Sequence, residues 1–325
     1  MTATITLHAV IRQARQRLEC AGIEPAEAAL DADVLARHAL GGWERGQLLV
    51  NLREPAPPGL AERLEPLVAR RERREPTAYI TGQREFWGIE FDVAPGVLIP
   101  RPETEFIVEE ALARLTPPAD ALPHSVAARE GGVTRRSPAE REQAKAGESQ
   151  AVGCVVRIAD ICTGSGCIAV ALARWLPTAR IVATDVSEAA LAIATRNVTP
   201  HEVADRVTLV RSDLLDPASG LFDLIVSNPP YVPSGDMATL QPEILNYEPR
   251  LALDAGPDGL DLIRRLVPAA ATHLVPGGWF VFEFGDGQSA RVREIIEAEP
   301  RLGVVAWRDD LAGIPRIAVA CRVNA

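Results

Sequence analysis

The sequence predicts an α/β fold: a mostly parallel sheet with helices on both faces, preceded by a small helical bundle and a β-hairpin linker. Three observations carry this. From residue 155 onward, near-continuous apolar runs alternate with amphipathic stretches of helical period, the pattern of strands buried on both faces. Before residue 77, β-branched alternation is nearly absent and apolar residues recur at helical spacing. The 325 residues are 47% apolar and 24% charged, a balance that excludes global disorder and fits one large domain or two ordinary ones.

Taken in order, Leu7, Val10, Ile11, Ala14 and Leu18 form one helical face, ended by Gly22 and Pro25. Asp33 to Leu40 continues the pattern until Gly41-Gly42, and Leu60 to Val68 adds another amphipathic stretch. The run Arg70-Arg71-Glu72-Arg73-Arg74-Glu75 is expected to be a solvated helix end. Around Phe86-Trp87-Gly88-Ile89-Glu90-Phe91-Asp92-Val93 the partial alternation bounded by Gly96 and Pro100 predicts a hairpin. A helix starts at Pro102, with Glu103 and Glu105 in its first turn. Residues 117–152 lose nearly all large apolar side chains, so they are read as a flexible insertion.

Beyond the insertion, strands are expected at Val155–Ile161, Ala179–Asp185, Val207–Arg211, Phe222–Ser227, Trp279–Phe284, and near 303–308 and 316–322. Helices are expected at Gly166–Trp175, Ser187–Asn197, Leu260–Leu274 and near Gln288–Glu299.

Charge narrows the function classes. With 34 basic and 44 acidic side chains the net charge is −10, so bulk electrostatics gives no hold on nucleic acid. No run of 18 apolar residues is present, which excludes a membrane-spanning helix, and the acid-bearing helical start does not fit a targeting peptide. Five scattered cysteines without a CxxC pair fit neither a disulfide framework nor a metal site, so no metal is expected and the compartment is reducing.

Four constellations carry chemistry. Asp160-Ile161-Cys162-Thr163-Gly164-Ser165-Gly166 joins the first core strand to its helix, where glycines let the backbone approach a ligand at a helix N-terminus. Asp185 ends the second strand about twenty residues later, where a carboxylate accepts both hydroxyls of a ribose. Together these indicate an adenosine-containing cofactor. Arg211-Ser212-Asp213-Leu214 follows the third strand, in reach of an adenine edge. Ser227-Asn228-Pro229-Pro230-Tyr231 follows the fourth, at the sheet end where ligands of open α/β sheets bind. Its prolines remove two donors and leave carbonyls outward, Asn228 adds a side-chain carbonyl, and Tyr231 adds a flat ring. That is a receptor for a planar –NH2 group, whose delocalised lone pair is made available when acceptors draw on its N–H bonds.

These ordered motifs resemble those of S-adenosylmethionine-dependent amino-methyltransferases. Thr77-Ala78-Tyr79-Ile80-Thr81-Gly82-Gln83-Arg84-Glu85-Phe86-Trp87-Gly88, Leu98 to Glu105, Tyr247-Glu248-Pro249 and Asp310 to Arg316 further resemble the release-factor glutamine methyltransferases, the PrmC/HemK family. Two departures are visible: Ile161-Cys162 stand where the family usually has Leu-Gly, and 117–152 exceeds the usual spacer.

The resemblance implies a helical substrate-recognition domain (1–76), a hairpin linker (77–100) and a Rossmann-like class I methyltransferase domain (101–325). It implies methylation of the glutamine amide in the Gly-Gly-Gln motif of class 1 peptide-chain release factors. The protein would act as a cytoplasmic monomer with no nucleic-acid or membrane partner. S-adenosyl-L-methionine would be held by Cys162, Thr163, Gly164, Ser165, Gly166, Asp185, Asp213, Leu214 and Asn228. The substrate amide would meet Asn228, Pro229, Pro230 and Tyr231. Arg101 and Glu103 would order the linker over the site, and Glu283 would support the Asn-Pro-Pro-Tyr loop. The rival readings are a methyltransferase acting on adenine N6 or guanine N2 of nucleic acid, one acting on a ribosomal-protein glutamine, and a non-catalytic cofactor-binding protein.

Overall fold

The computed structural model describes residues 5–115, 155–215 and 220–323, so the 117–152 segment lies outside the described residues. The chain divides into two compact units. The first contains residues 1–84, 93–99 and 236–250, and the second 85–92, 100–235 and 251–325.

The first unit is helical: Leu7–Cys20, Pro25–Ala39, Arg45–Asn51, Leu60–Glu72, Thr77–Thr81 and Pro242–Tyr247. Thr6 caps the first helix, its hydroxyl accepting from the Ala9 amide, and Pro25 opens the second, where its missing N–H costs nothing. Leu7, Ile11, Ala14 and Leu18 pack against Ala28, Ala32, Leu35 and Ala36, and Leu60, Leu64 and Val68 complete the cluster. Small residues at 28, 32 and 36 let the second helix approach its neighbours closely.

The charged run at 70–75 corrects the expectation of a solvated helix end. Arg71 is only 1% exposed, and its guanidinium reaches Asp31 at 2.6 Å, Glu27 at 2.7 Å and Glu243 at 2.7 Å. Arg74 donates to the other Glu243 oxygen at 2.9 Å, and Arg17 holds Glu72 in a two-pronged contact at 2.8 Å. Charge pattern alone treats each side chain as meeting water. Three carboxylates converging from distant segments satisfy one planar guanidinium fork instead. The same contact explains why 236–250 cluster with the first unit rather than with the strands that flank them in sequence. Two motif segments serve this unit as well: the Tyr79 hydroxyl donates to the Val97 carbonyl at 2.5 Å, and Glu248 accepts from the Ile99 amide at 3.2 Å.

The hairpin pairs β1 (Gln83–Phe86) with β2 (Ile89–Asp92). Its two-residue turn has positive φ at both Trp87 (57°) and Gly88 (70°), the turn whose twist suits a tight hairpin. In the second unit, Phe86 and Phe91 pack edge to face, and the Trp87 amide donates to Glu105 at 2.9 Å.

The second unit holds a seven-stranded sheet of β3 (Arg157–Ile161), β4 (Arg180–Asp185), β5 (Val207–Arg211), β6 (Phe222–Ser227), β7 (Leu274–Glu283), β8 (Leu302–Asp309) and β9 (Pro315–Arg322). Its order is β5-β4-β3-β6-β7-β9-β8; the first five strands run parallel, and β9 lies antiparallel between β7 and β8. Alternate residues of β3, β6, β7 and β9 feed two apolar clusters, one on each face. Ile107, Val108 and Ala111 of helix Glu105–Leu115, with the residues of helix Cys167–Trp175, cover one face. Ile263, Leu266 and Val267 of helix Asp261–His273, with Val292 and Ile296, cover the other. This is the predicted fold class. No described helix is long and apolar enough to cross a membrane.

Candidate active site

The strand order reverses at β3: the chain fills the sheet outward through β4 and β5, then returns to the other side with β6 and β7. Such a reversal leaves a crevice at the strand C-termini. The register aligns those ends: Ile161 lies beside Thr184 and Ser227, Asp185 beside Arg211, and Ser227 beside Phe282. The Ser227 hydroxyl donates to the Ile161 carbonyl at 2.7 Å, tying the two strands that flank the reversal.

On the β3–β4 side the backbone turns sharply. Cys162, Gly164 and Gly166 all have positive φ, at 60°, 56° and 80°. Cys162 therefore stands at a position that favours glycine, and the cysteine accepts the left-handed conformation. A Cβ on Gly166 would lie 3.2 Å from the Cβ of Ala194, so glycine is also needed there for close packing. Beneath the turn, Asp160 accepts from the Thr163 hydroxyl at 2.6 Å and the Ala169 amide at 3.2 Å. Its other oxygen is buried without a partner among the described residues, and burial pushes the carboxyl up to about 7.

Asp185 takes one backbone amide on each oxygen, Gly164 at 3.0 Å and Ser187 at 2.9 Å. Burial pushes the pKa of its carboxyl up. A carboxylate has about four acceptor sites, so two stay open beside the glycine turn. Glycines at the backbone, a half-satisfied acid and an orphaned buried oxygen together fit a ribose-bearing, positively charged ligand.

The turn after β5 is anchored to the same place, since the Ser212 amide donates to the Asp185 carbonyl at 3.1 Å. Leu214, at φ 65°, packs with Cys162 on one apolar cluster. Asp213 is different: its exposed carboxylate pairs with Arg265 at 2.6 Å. The structure thus groups Cys162–Gly166, Asp185 and Leu214 and engages the Asp213 side chain elsewhere.

On the β6–β7 side, Asn228 Nδ2 donates to the Thr104 hydroxyl at 2.8 Å, and Thr104 donates to Glu283 at 2.7 Å. The Tyr231 hydroxyl donates to the second Glu283 oxygen at 3.0 Å. Glu283 is 1% exposed; burial pushes its carboxyl up to about 7, against the pull of Thr104 and Tyr231. The Tyr231 hydroxyl is pushed well above its ordinary value by burial and by the adjoining carboxylate.

From below, Gln288 receives the Gly285 amide at 2.8 Å and donates to the Tyr231 carbonyl at 2.9 Å. Gly259 comes so close to that carbonyl that a Cβ would sit 2.4 Å from it. A cavity of about 170 Å³ opens here, lined by Arg101, Glu103, Tyr231, Glu283 and Arg316. Arg316 is aimed by its own segment: Asp310 closes a turn on the Ala312 and Ile314 amides and holds the guanidinium at 3.0 Å.

Glu283 thus supports the tetrapeptide loop by hydrogen bonds, and Arg101 and Glu103 stand at the cavity. Sequence reasoning missed Thr104, Gln288 and Gly259 as members of the site. Thr104 lay in view as part of a helix start, and a polar residue beside Glu103 gives no signal that its partners are 124 and 179 positions away.

Residues 9–82 match the PrmC N-terminal domain and residues 151–249 the methyltransferase small domain. A release factor glutamine methyltransferase of Geobacter sulfurreducens is 43% identical over 288 residues, covering 88% of this chain and 87% of that protein. One from Moorella thermoacetica is 38% identical over 328 residues, covering 98% and 99%. Among solved structures, the hMettl16 catalytic domain in complex with MAT2A 3'UTR hairpin 6 aligns with a TM-score of 0.51 at 16% identity, over 82% of this chain and 83% of that one, a likeness of fold alone. With that identity running across both matched domains, the chain belongs to the release factor glutamine methyltransferase family.

Proposed function

We propose that this protein transfers a methyl group from S-adenosylmethionine to the side-chain amide nitrogen of the glutamine in the Gly-Gly-Gln motif of class 1 peptide-chain release factors. One observation supports this above the others: Asn228 spends its N–H on Thr104, which leaves Oδ1 as an acceptor at the sheet's crevice. The cofactor supplies, when bound, an electrophilic methyl on a sulfonium. Thr163 to Gly166 would hold it along the backbone, with Asp185 taking its ribose hydroxyls and Leu214 its adenine.

The protein's work on the other side is to hold and aim a weak nucleophile. Oδ1 of Asn228 and the Pro229 carbonyl accept the two amide protons, and Tyr231 packs on the amide plane. Drawing on both N–H bonds favours the pyramidal nitrogen and points its lone pair at the methyl. With the cofactor bound, the amide nitrogen would take its methyl while the C–S electron pair would remain on sulfur. The alkylated amide then loses a proton to water, so the protein need not provide a strong base. Release factors act in translation, which places the reaction in the cytoplasm. The acidic total gives an RNA or DNA substrate no bulk attraction.

The test offers the protein labelled methyl donor together with a release factor, a release factor whose motif glutamine is glutamate, and total RNA. Label is expected on the first alone. Asn228→Ala should lower turnover about a hundredfold or more while retaining cofactor binding. Label on RNA, or equally on the glutamate variant, would overturn the reading.

A further inference from the structure

The hydrogen bonds behind Asn228 have a direction. An ionised Glu283 can only accept, and its two oxygens take protons from the Thr104 hydroxyl at 2.7 Å and the Tyr231 hydroxyl at 3.0 Å. Threonine carries one such proton. Once it is given to Glu283, the Thr104 oxygen faces Asn228 solely as an acceptor, so the Asn228 NH2 must turn toward it, at 2.8 Å. The Asn228 Oδ1 then lies on the far side of the amide, and no described residue donates to it.

We propose that Thr104 and Glu283 are positioning residues that decide which end of the Asn228 amide meets the substrate. An asparagine amide has nearly the same shape in both flips, so packing alone does not choose between them. The wrong flip would set N–H donors against the N–H donors of a substrate amide, where no hydrogen bond can form. The directed chain Asn228–Thr104–Glu283 makes the choice through hydrogen-bond polarity. This inference rests on the reading that the nucleophile is an –NH2 group.

The chain should also reverse with pH. The charged and titratable groups around Glu283 are Glu103 on the turn that carries Thr104, Tyr231 on the tetrapeptide loop and Arg316 on β9, with Arg101 acting on Tyr231. Its carboxyl lies up at about 7. As pH falls through that range Glu283 gains a proton and becomes a donor to Thr104. The threonine proton is then free to swing toward Asn228 and favour the opposite flip. Turnover should therefore fall on the acid side.

The experiment uses the full chain, a release factor and S-adenosylmethionine, with Thr104→Val, Thr104→Ser and Glu283→Gln. Valine keeps the shape of threonine without its hydroxyl. It should lower kcat about tenfold or more, with KM for the release factor, cofactor affinity and Tm little changed. Serine should restore most of the rate. Glu283→Gln, whose amide can donate to Thr104, should be slow at every pH and lack the acid limb.

A second readout does not need turnover. The chain has five asparagines (51, 197, 228, 246 and 324), so selective 15N-asparagine labelling gives few side-chain amide signals. The Asn228 pair is assigned by its loss in Asn228→Asp. Above the Glu283 range it should show one protected, hydrogen-bonded proton, lost in Thr104→Val and in the parent protein at lower pH. Full kcat in Thr104→Val, or an Asn228 signal indifferent to Thr104, would overturn the relay. A parent protein that leaves the release factor unlabelled while showing the protected Asn228 proton would remove the substrate reading and keep the relay.

Discussion

Replacing Gly259 by alanine tests whether the tetrapeptide loop is held from below. Gly259 has φ +74°, and an added Cβ would lie 2.4 Å from the Tyr231 carbonyl oxygen, 2.6 Å from Gln288 Nε2 and 3.0 Å from the Pro233 nitrogen. The Gln288 side chain can swing away. The Tyr231 carbonyl has less freedom, because prolines at 229, 230 and 233 restrict the backbone around it. The next residue is also fixed, with the Val232 amide bound to the Leu253 carbonyl and its own carbonyl to the Ala255 amide, both at 2.9 Å. The left-handed conformation costs alanine about 1–2 kcal/mol. Losing the Gln288 contact to Tyr231 adds about 1 kcal/mol. The sum, roughly 2–3 kcal/mol, corresponds to a Tm lower by about 3–5 °C for a chain of this size. Moving the Tyr231 carbonyl also tilts Asn228, so kcat on a release factor should fall. Cofactor affinity should hold, because the glycine turn follows β3 and Asp185 ends β4. Thermal unfolding, calorimetry with S-adenosylmethionine and a methyl-transfer assay read the three quantities. An alanine variant with the parent's Tm and kcat would refute the claim that Gly259 sets the loop.

Asp185→Ala removes the predicted ribose acceptor and releases the Gly164 and Ser187 amides, so calorimetry should show S-adenosylmethionine binding weakened about thirtyfold or more. Unchanged affinity would place the ribose elsewhere. Cys162 already bears a left-handed backbone at φ 60°; Cys162→Gly should leave Tm close to that of the parent, whereas the β-branched Cys162→Val should cost about 1–2 kcal/mol or more, seen in denaturant unfolding. Arg71→Leu strips the shared partner from Asp31, Glu27 and Glu243 and should cost about 3–5 kcal/mol. Adding Glu243→Gln should recover part of that loss in a double-mutant cycle, and strict additivity would mean that the pair is not coupled.

The sequence by itself determined the features that depend on neighbours in the chain. Periods of apolar residues marked β3 to β7 and their helices within a few positions, because a strand buried on both faces and an amphipathic helix carry different patterns. Glycines at 164 and 166, Asp185 and the two prolines after Asn228 are local turn and strand-end chemistry, so their places at the strand ends were legible, and the proposed cofactor loop and amide receptor rest on them. The family resemblance rested on those same residues.

Tertiary structure decided the partners. Asn228 and Thr104 are 124 positions apart, Thr104 and Glu283 179, and Arg71 and Glu243 172. Nothing local distinguishes an arginine that will meet water from one that will be buried among three acids. Nor does it distinguish an aspartate that closes on backbone amides, like Asp185, from one, like Asp213, paired with an exposed arginine. A polar group removed from water must find its hydrogen bonds among whatever the fold brings near it. The insertion of β9 between β7 and β8 belongs to the same class, since strand order is set by long-range pairing that the apolar period of each strand does not encode.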